Sequence, residues 1–195
     1  MRRRMTWYLL VAGVLAVVGF LVWRQWFQTY HLATVQEGVL YRAGNRGLRE
    51  FANAIRRVKP RTVVCLIDDN ELSDARKPQF QQELRFLADR RIAVCRIPIA
   101  LGGWPTPADV RQFLSVVSDA KNQPVLVHCA QGVRRTGMLA AAYQQSVLGY
   151  DDARAKSAIL TFGHSRRSIG DVEKFIELYD AKQMEMTGSL PMSVE

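Results

Sequence analysis

The stretch from Val125 to Gly137, Val-Leu-Val-His-Cys-Ala-Gln-Gly-Val-Arg-Arg-Thr-Gly, constrains the fold more than any other part of the chain. Its apolar start, residues 125–127, predicts a short buried strand, and the alanine-rich segment 138–147 predicts a helix. A strand, a tight loop and a helix N-terminus direct free backbone N–H groups and the positive end of a helix dipole to one place. The sequence therefore predicts an anion site between this strand and this helix.

Cys129 stands at the start of the loop, where an anion is stabilised. The pKa of a thiol in such a place is expected below its free value of roughly 8.5, so the reactive thiolate is present at neutral pH. Arg135 follows in the same stretch, and its planar guanidinium can bind two phosphate oxygens at once. A buried structural cysteine is the commoner fate of a lone Cys, but that interpretation leaves the spacing of Gly132, Arg135 and Thr136 unexplained.

The pattern His-Cys, five residues, Arg and then Thr-Gly resembles the signature of the cysteine-dependent protein tyrosine phosphatases, most closely the compact dual-specificity branch. The resemblance implies that a phosphate monoester is hydrolysed through a phosphocysteine on Cys129. It also implies that the phosphate is held by the loop N–H groups and a guanidinium. The phosphate-binding residues are then Ala130, Gln131, Gly132, Val133, Arg134 and Arg135.

Three residues of the motif have two interpretations each. His128 either orients the loop, as the resemblance implies, or is a satisfied core histidine. Thr136 either hydrogen-bonds the thiolate and assists breakdown of the intermediate, or caps the helix. Arg134 has no part in the family motif, and it is either a solvated charge or a contact for a second anionic group of the substrate.

The leaving oxygen also needs a proton, and the resemblance implies an aspartate at the loop position where this chain has Leu101. We expect the acid to be Asp69 or Asp68, which follow a neighbouring strand at the edge where parallel sheets place their ligands. Asp109 is an alternative, although two residues after Pro107 it suits the first turn of a helix. A site without a dedicated acid is the third possibility, and a phenolic leaving group depends least on one.

The N-terminal segment is different in kind. From Met5 to Trp23 only Thr6 is polar, and residues 5–23 span roughly 28 Å as a helix, which is enough to cross a bilayer. Three arginines precede this span and only Arg24 directly follows it, so the positive-inside rule favours a catalytic domain on the non-cytoplasmic side. A cleaved signal peptide is the alternative, but no small-x-small cleavage site follows the apolar run. We therefore expect a single-pass membrane protein with an N-terminal anchor.

The rest of the chain alternates strands and helices, which is typical of an α/β fold with a central, mostly parallel sheet flanked by helices. Strands are predicted at 38–43, as an edge strand, and at 62–67, 92–99 and 125–127. Helices are predicted at 47–58, 75–90, from 107, 138–147, from 151 or 152 to 161, and 171–183. The predicted units are a basic start with a transmembrane anchor (1–27), a linker (28–37), a phosphatase-like domain (38–184) and a flexible tail (185–195).

The charge and the cysteine content of the chain argue against nucleic-acid binding and against a metal site. The net charge is +9, of which residues 1–27 contribute four arginines and no acids, which leaves 23 basic against 18 acidic groups in the remainder. This excess of +5 suits anionic partners but is too weak and scattered for nucleic acid. The three cysteines show neither a Cys-x-x-Cys pair nor a metal-ligand spacing, so we expect no metal and no cofactor.

The sequence therefore predicts a phosphatase that acts on a phosphorylated protein, with phosphotyrosine as the expected substrate group. Two alternatives remain open. One is a phosphate-binding pseudophosphatase, in which Leu101 has replaced the acid. The other is a phosphoinositide phosphatase, which would use the anchor and Arg134.

Overall fold

A five-stranded sheet with the strand order β1-β2-β5-β3-β4 forms the centre of the fold in the computed structural model, which describes residues 2–179. Strands β2, β5, β3 and β4 run parallel, and β1 pairs antiparallel with β2. The predicted fold class, an α/β fold with a mostly parallel sheet, is confirmed. The strands are β1 (Ala33–Gln36), β2 (Leu40–Gly44), β3 (Thr62–Cys65), β4 (Ala93–Arg96) and β5 (Val125–Cys129).

The prediction that residues 38–43 form an edge strand is wrong. Strand β2 lies between β1 and β5, and β1 itself lies inside the segment 28–37 that was predicted as a linker. The alternation of residues 38–43 suggested an edge strand, but Arg42 is buried and donates to backbone carbonyls of the loop after β5. The tail at 185–195, and the predicted end of the domain at residue 184, lie outside the described residues.

Helices cover both faces of the sheet because each has one apolar side. Phe51, Ala54 and Leu87 pack on one face, and Phe113 and Leu139 belong to the larger core on the other face. The helices that follow the N-terminal one are α2 (Leu48–Val58), α3 (Asp69–Ser73), α4 (Pro78–Asp89), α5 (Pro107–Ser118), α6 (Arg134–Ser146), α7 (Asp152–Ser157) and α8 (Arg166–Leu178).

Helix boundaries differ from the predicted ones where polar residues start a helix. The short helix α3 was not predicted, because its sequence Asp-Asn-Glu-Leu-Ser has no apolar periodicity. Helix α6 begins at Arg134 rather than Met138, since the two arginines after the loop already form its first turn. Helix α8 likewise begins at Arg166 instead of Asp171. Helices α3 and α6 follow the carboxyl ends of β3 and β5, so their polar first turns lie at the edge of the sheet where Cys129 ends β5.

The N-terminal helix α1 (Arg2–Phe27) is apolar and exposed. Its stretch Trp7–Phe27 has a mean hydropathy of 1.9 and no buried part, so by length and composition it could cross a membrane or serve as a signal sequence. Its C-terminal end is attached to α2. The buried Asn53 donates to the carbonyls of Gln25 (3.2 Å) and Gln28 (2.7 Å), and Arg56 lies over the Trp26 ring at 4.9 Å.

Candidate active site

Cys129 ends strand β5 and lines a cavity of about 520 Å³ at the carboxyl edge of the parallel strands. The phosphate loop, residues 129–134, connects this strand to α6. The thiol is 3% exposed, so access to it is through the cavity. The described residues that line the cavity are Glu71, Lys77, Leu101, Gly102, Cys129, Ala130, Gln131, Arg134, Arg135 and Asp171.

Every backbone carbonyl of residues 129–133 accepts a hydrogen bond from outside the phosphate loop. The N–H of Asn45 donates to the carbonyls of residues 129 and 130, at 3.1 and 3.0 Å. His31 Nδ1 donates to the carbonyl of residue 131 at 2.6 Å. Arg42 Nη2 donates to the carbonyls of residues 132 and 133, at 2.7 and 3.2 Å.

The orientation of these carbonyls fixes the direction of the loop N–H groups. In a trans peptide the N–H of the next residue points opposite to the C=O, and the phosphate loop has no cis peptide. The N–H groups of residues 130–134 therefore point away from the outer donors. One of them, the N–H of Gly132, donates to Cys129 Sγ at 3.1 Å. The loop is thus an array of inward donors beside a thiol.

The surroundings of Cys129 favour ionisation of its thiol. Burial raises its pKa, but the charge of Arg135, the hydroxyl and N–H of Thr136 and the N–H of Gly132 outweigh burial, so the pKa lies below its ordinary value. The hydroxyl of Thr136 has no hydrogen-bond partner of normal geometry among the described residues, so its bond to the thiolate stays a prediction. Thr136 lies within the first turn of α6 and is fully buried.

Arg135 is a buried cation with a fixed direction. Its Nη1 donates to Glu71 Oε2 (2.5 Å) and to the carbonyls of Leu66 (3.1 Å) and Ile99 (2.9 Å), and its Nη2 donates to Glu71 Oε1 (3.2 Å). Burial alone would lower the pKa of Arg135, but Glu71 and the thiolate of Cys129 raise it. Glu71 was missed by sequence reasoning, although it lies only two residues after the aspartate pair that was singled out.

A second buried ion pair lies behind the loop. His128 Nε2 is 2.8 Å from Glu83 Oε1, both side chains are fully buried, and the amide of Asn45 donates to the other oxygen of Glu83. Burial would lower the pKa of His128, but the charge of Glu83 and the contact with Cys65 raise it well above its usual value. Because Asn45 also bonds two loop carbonyls, this network supports the loop-orienting interpretation of His128.

Asp68 lies beside the cavity but does not line it. Its Oδ1 accepts from the N–H of Glu71 (2.7 Å) and its Oδ2 from the N–H of Leu101 (2.9 Å). Burial raises the pKa of Asp68, but these N–H groups and the charge of Arg135 outweigh burial, so the net shift of the pKa is downward. A general acid must carry a proton near neutral pH, and these contacts disfavour Asp68 in that role.

Asp69 does not lie beside Cys129, contrary to expectation. Helix α3 starts at this residue and turns the side chain outward, where it is 76% exposed and pairs with Arg96 at 2.8 Å. The interpretation of Asp109 as a residue of the first helical turn is confirmed, since its carboxylate forms a capping box with Thr106. Glu71 and Asp171 are the carboxylates that line the cavity among the described residues, and each is bound to an arginine.

Hydrogen bonds from Arg134 connect the phosphate loop to the loop that contains Leu101. It donates to the carbonyls of Gly102 (2.7 Å) and Gly103 (3.0 Å) and to Asp171 Oδ2 (2.5 Å). Its charge is therefore neither simply solvated nor free for a substrate. Leu101 has a 71% exposed side chain at the rim of the cavity, while its N–H is bound to Asp68.

Solved structures with the same fold are cysteine-based phosphatases. The core catalytic domain of the PP-IP phosphatase SIW14 from S. cerevisiae has a TM-score of 0.66 at 20% identity, covering 83% of this chain and 92% of that one. TpbA from P. aeruginosa has a TM-score of 0.62 at 23% identity, covering 84% and 96%. PTPMT1, solved in complex with PI(5)P, has a TM-score of 0.53 at 14% identity, covering 80% and 97%. Together with the motif at Cys129, this fold defines a cysteine-dependent phosphatase of the protein tyrosine phosphatase type.

The chain belongs to the family described as DSP-PTPase phosphatase fused to NAD+ kinase, whose model matches residues 55–183. A curated relative, probable NAD kinase 2, chloroplastic, from Oryza sativa subsp. japonica, is 30% identical over 57 residues. That match covers 29% of this chain but only 6% of the rice protein. The chain therefore matches only a small part of that relative's length.

The lowered pKa of Cys129 predicts selective alkylation. At about pH 7, which lies below the pKa of an ordinary thiol, iodoacetamide should modify Cys129 much faster than Cys95, because burial raises the pKa of Cys95. Peptide mapping by mass spectrometry against pH measures both residues in one sample. Inorganic phosphate should protect Cys129 only. Equal rates for the two cysteines across the pH range would contradict the described electrostatics.

Gly44 leaves no room for a side chain behind the phosphate loop. A Cβ at this position would lie 2.6 Å from the carbonyl oxygen of Gln131 and 2.7 Å from the Tyr30 ring. Gly44→Ala should therefore displace the loop, reduce kcat/KM at least tenfold and cost about 1–3 kcal/mol of stability, as overpacking does. Activity assays and urea unfolding check both. Gly170→Ala is the control, because its Cβ would meet nothing within 4 Å, and it should change neither activity nor fold.

Proposed function

We propose that this chain hydrolyses phosphate monoesters with Cys129 as the nucleophile and Arg135 as the residue that binds the transferred phosphoryl group. The observation that carries the proposal is the array of five outer-bonded carbonyls, which turns the N–H groups of residues 130–134 away from the outer donors, with that of Gly132 donating to Cys129 Sγ. Such N–H groups, together with a guanidinium, match the equatorial oxygens of a phosphoryl group. Loop residues Ala130, Gln131, Gly132 and Val133 contribute through their backbones.

The reaction proceeds in two displacements. The thiolate of Cys129 attacks phosphorus in line with the leaving oxygen, so an S–P bond forms while the P–O bond to the leaving group breaks. Water then attacks the phosphocysteine and releases inorganic phosphate and the thiolate. Thr136, fully buried in the first turn of α6, lowers the pKa of Cys129 and so favours departure of the thiolate. His128, held by Glu83, keeps the end of β5 and the loop in register.

The site favours substrates whose leaving group is stable as an anion. Both cavity-lining carboxylates are bound to arginines, Glu71 to Arg135 and Asp171 to Arg134, and Asp68 has both oxygens engaged. Each of these carboxylates already accepts hydrogen bonds from the protein, and Asp69 lies elsewhere, paired with Arg96. A phenolate leaves more readily than an alkoxide, so we propose phosphotyrosine in proteins as the main substrate class.

Two observations favour phosphotyrosine over a phosphoinositide as the substrate. TpbA, which shares the fold, was solved in complex with pTyr. The phosphoinositide alternative depended on Arg134 as a contact for a second anionic group, but that guanidinium is bound to Gly102, Gly103 and Asp171. Lys77, at the rim, is the remaining partly exposed cation of the cavity. The geometry therefore gives a phosphotyrosyl substrate more support than an inositol lipid.

Leaving-group dependence tests the proposal. We expect kcat/KM to fall steeply from p-nitrophenyl phosphate to phenyl phosphate to a simple alkyl phosphate, by at least the roughly 10²-fold that a general acid contributes. Cys129→Ser should abolish turnover of all three substrates. A shallow dependence would show that an acid is present, and Asp171→Asn and Asp68→Asn would then identify it by loss of the basic limb of the rate–pH profile. A screen with phosphotyrosine peptides and inositol lipids completes the test, since activity on lipids alone contradicts the proposed substrate class.

We also propose that α1 is an uncleaved membrane anchor and that the catalytic domain faces the non-cytoplasmic side. Support comes from the apolar stretch Trp7–Phe27, from the arginine asymmetry across it, and from the attachment of its end to Asn53. A chain cleaved at the end of α1 would lose the contact between Asn53 and Gln25.

Membrane extraction tests the anchor. The expressed chain should remain in the membrane fraction after carbonate extraction at the mass of the full sequence, and Val14→Arg with Leu15→Arg should release it, because charges at the centre of a span are costly. Protease added to sealed vesicles with the non-cytoplasmic face outside should digest the domain. A shorter, soluble product would instead indicate a cleaved signal sequence, and a protected domain would reverse the orientation.

A further inference from the structure

The residues that directly follow α1 contact the outside of the phosphate loop. His31 Nδ1 lies 2.6 Å from the carbonyl oxygen of Gln131. A carbonyl can only accept, so the imidazole donates its Nδ1–H. Tyr30 supports the same place, because its carbonyl accepts from the N–H of Gly44 at 2.9 Å. The phosphate loop is therefore in contact with a segment that lies outside the strand–loop–helix motif.

The peptide group that His31 binds is the one that contacts the nucleophile. The carbonyl of Gln131 and the N–H of Gly132 belong to a single trans peptide and point in opposite directions. On the outer side the carbonyl accepts from His31, and on the inner side the N–H donates to Cys129 Sγ at 3.1 Å. A donor on the carbonyl also polarises the peptide and strengthens its N–H as a donor. His31 thus acts on the sulfur through one rigid group.

The imidazole of His31 is fixed on both faces. The ring of Tyr30 stacks on it with centroids 3.9 Å apart, and the ring of Phe162 stacks at 4.5 Å and 11°. The backbone of His31 has φ of +52°, and that of Phe162 has +50°, which non-glycine residues adopt only at a cost. Contacts that hold two such residues against each other indicate a specific arrangement rather than a loose linker.

Charge around the ring favours its neutral form. Burial lowers the pKa of His31, the hydrogen bond to Gln131 opposes this, and the nearby His164, Arg42 and Arg46 lower it further. The net direction is downward, so at neutral pH the ring is uncharged and carries its proton on Nδ1, as the contact requires. The donor is therefore in place under the conditions in which the thiolate acts.

We propose that His31 is a positioning residue for the nucleophile, which couples the end of α1 to the phosphate loop by orienting the peptide between Gln131 and Gly132. The proposal rests on the proposed role of Cys129. His31 lies four residues after Phe27, the last residue of α1, and four residues span at most about 14 Å. The apolar helix and the reacting sulfur are consequently joined by a short segment.

Two substitutions separate the donor from the ring. Asn places its amide nitrogen where His has Nδ1 and tolerates a positive φ, so His31→Asn keeps the donor and loses the stacking. His31→Phe keeps the stacking and loses the donor. With the full chain in detergent micelles, we expect His31→Phe to lower kcat for p-nitrophenyl phosphate roughly five- to tenfold, the effect of one hydrogen bond. The pH midpoint of Cys129 alkylation should rise by about half to one unit, and His31→Asn should stay within about twofold of the parent chain.

His164→Asn is the matched control, because His164 contacts the His31 ring edge-on at 5.2 Å and makes no hydrogen bond to the phosphate loop among the described contacts, so it should leave both readouts unchanged. His31→Phe with the parent kcat and alkylation midpoint would overturn the proposal. So would equal losses in His31→Asn and His31→Phe, which would assign the effect to stacking. Activity of the parent chain, abolished by Cys129→Ser, tests the role of Cys129 separately.

If His31→Phe does not fold, His31→Gly replaces it, since glycine accepts the positive φ. Added imidazole, which has an N–H, should restore activity to His31→Gly, whereas pyridine, which has none, should not. Equal restoration by both, or by neither, would overturn the proposal.

Discussion

The active site depends on hydrogen bonds made on the outside of the phosphate loop rather than inside it. Five successive carbonyls are held by Asn45, His31 and Arg42, and the N–H groups point inward as a consequence of peptide geometry. Strand β2 and the turn after it supply two of these donors, which explains why β2 lies beside β5 and not at the edge. Gly132, with φ of +70° and a Cβ that would lie 2.3 Å from the carbonyl oxygen of Ala43, permits this close approach.

Buried charge around the loop is balanced so that the thiol can ionise. Arg135 is paired with Glu71, and His128 with Glu83. Arg42 has no carboxylate partner among the described contacts, and burial lowers its pKa to about 10, so it remains a cation that bonds backbone carbonyls. Breaking a buried pair costs about 3–5 kcal/mol because it leaves one charge uncompensated. Arg135 stays a cation in its pair with Glu71, and its charge lowers the pKa of Cys129.

The sequence motif predicted the strand, the loop, the helix and the thiol, because each of these follows from residues adjacent in the chain. The residues that contact this motif come from distant segments of the chain. Glu71 lies in α3 and Glu83 in α4. Asn45 lies in the turn after β2, and His31 lies in the predicted linker. These are residue types that commonly lie on protein surfaces, so the sequence does not mark them as part of a site. The parallel pairing of β5 with β2 and β3 brings them together. Asp69 failed for the same reason, since one turn of helix decides which of several adjacent acids faces the cavity.

The loop around Leu101 gives the site its chemical bias. Asp68 binds the N–H of Leu101, and Arg134 binds the next two carbonyls, so the segment where an acid would stand is held in place without supplying one. A general acid contributes roughly 10²–10⁴ in rate, and its contribution matters most for an alkoxide and least for a phenolate. In the proposed reaction, the carboxylates that line the cavity form ion pairs with Arg134 and Arg135, so they do not protonate the leaving group. The phosphoryl group stays well bound, and the leaving group departs as an anion. Selection among substrates then follows from the leaving group before it follows from the shape of the cavity.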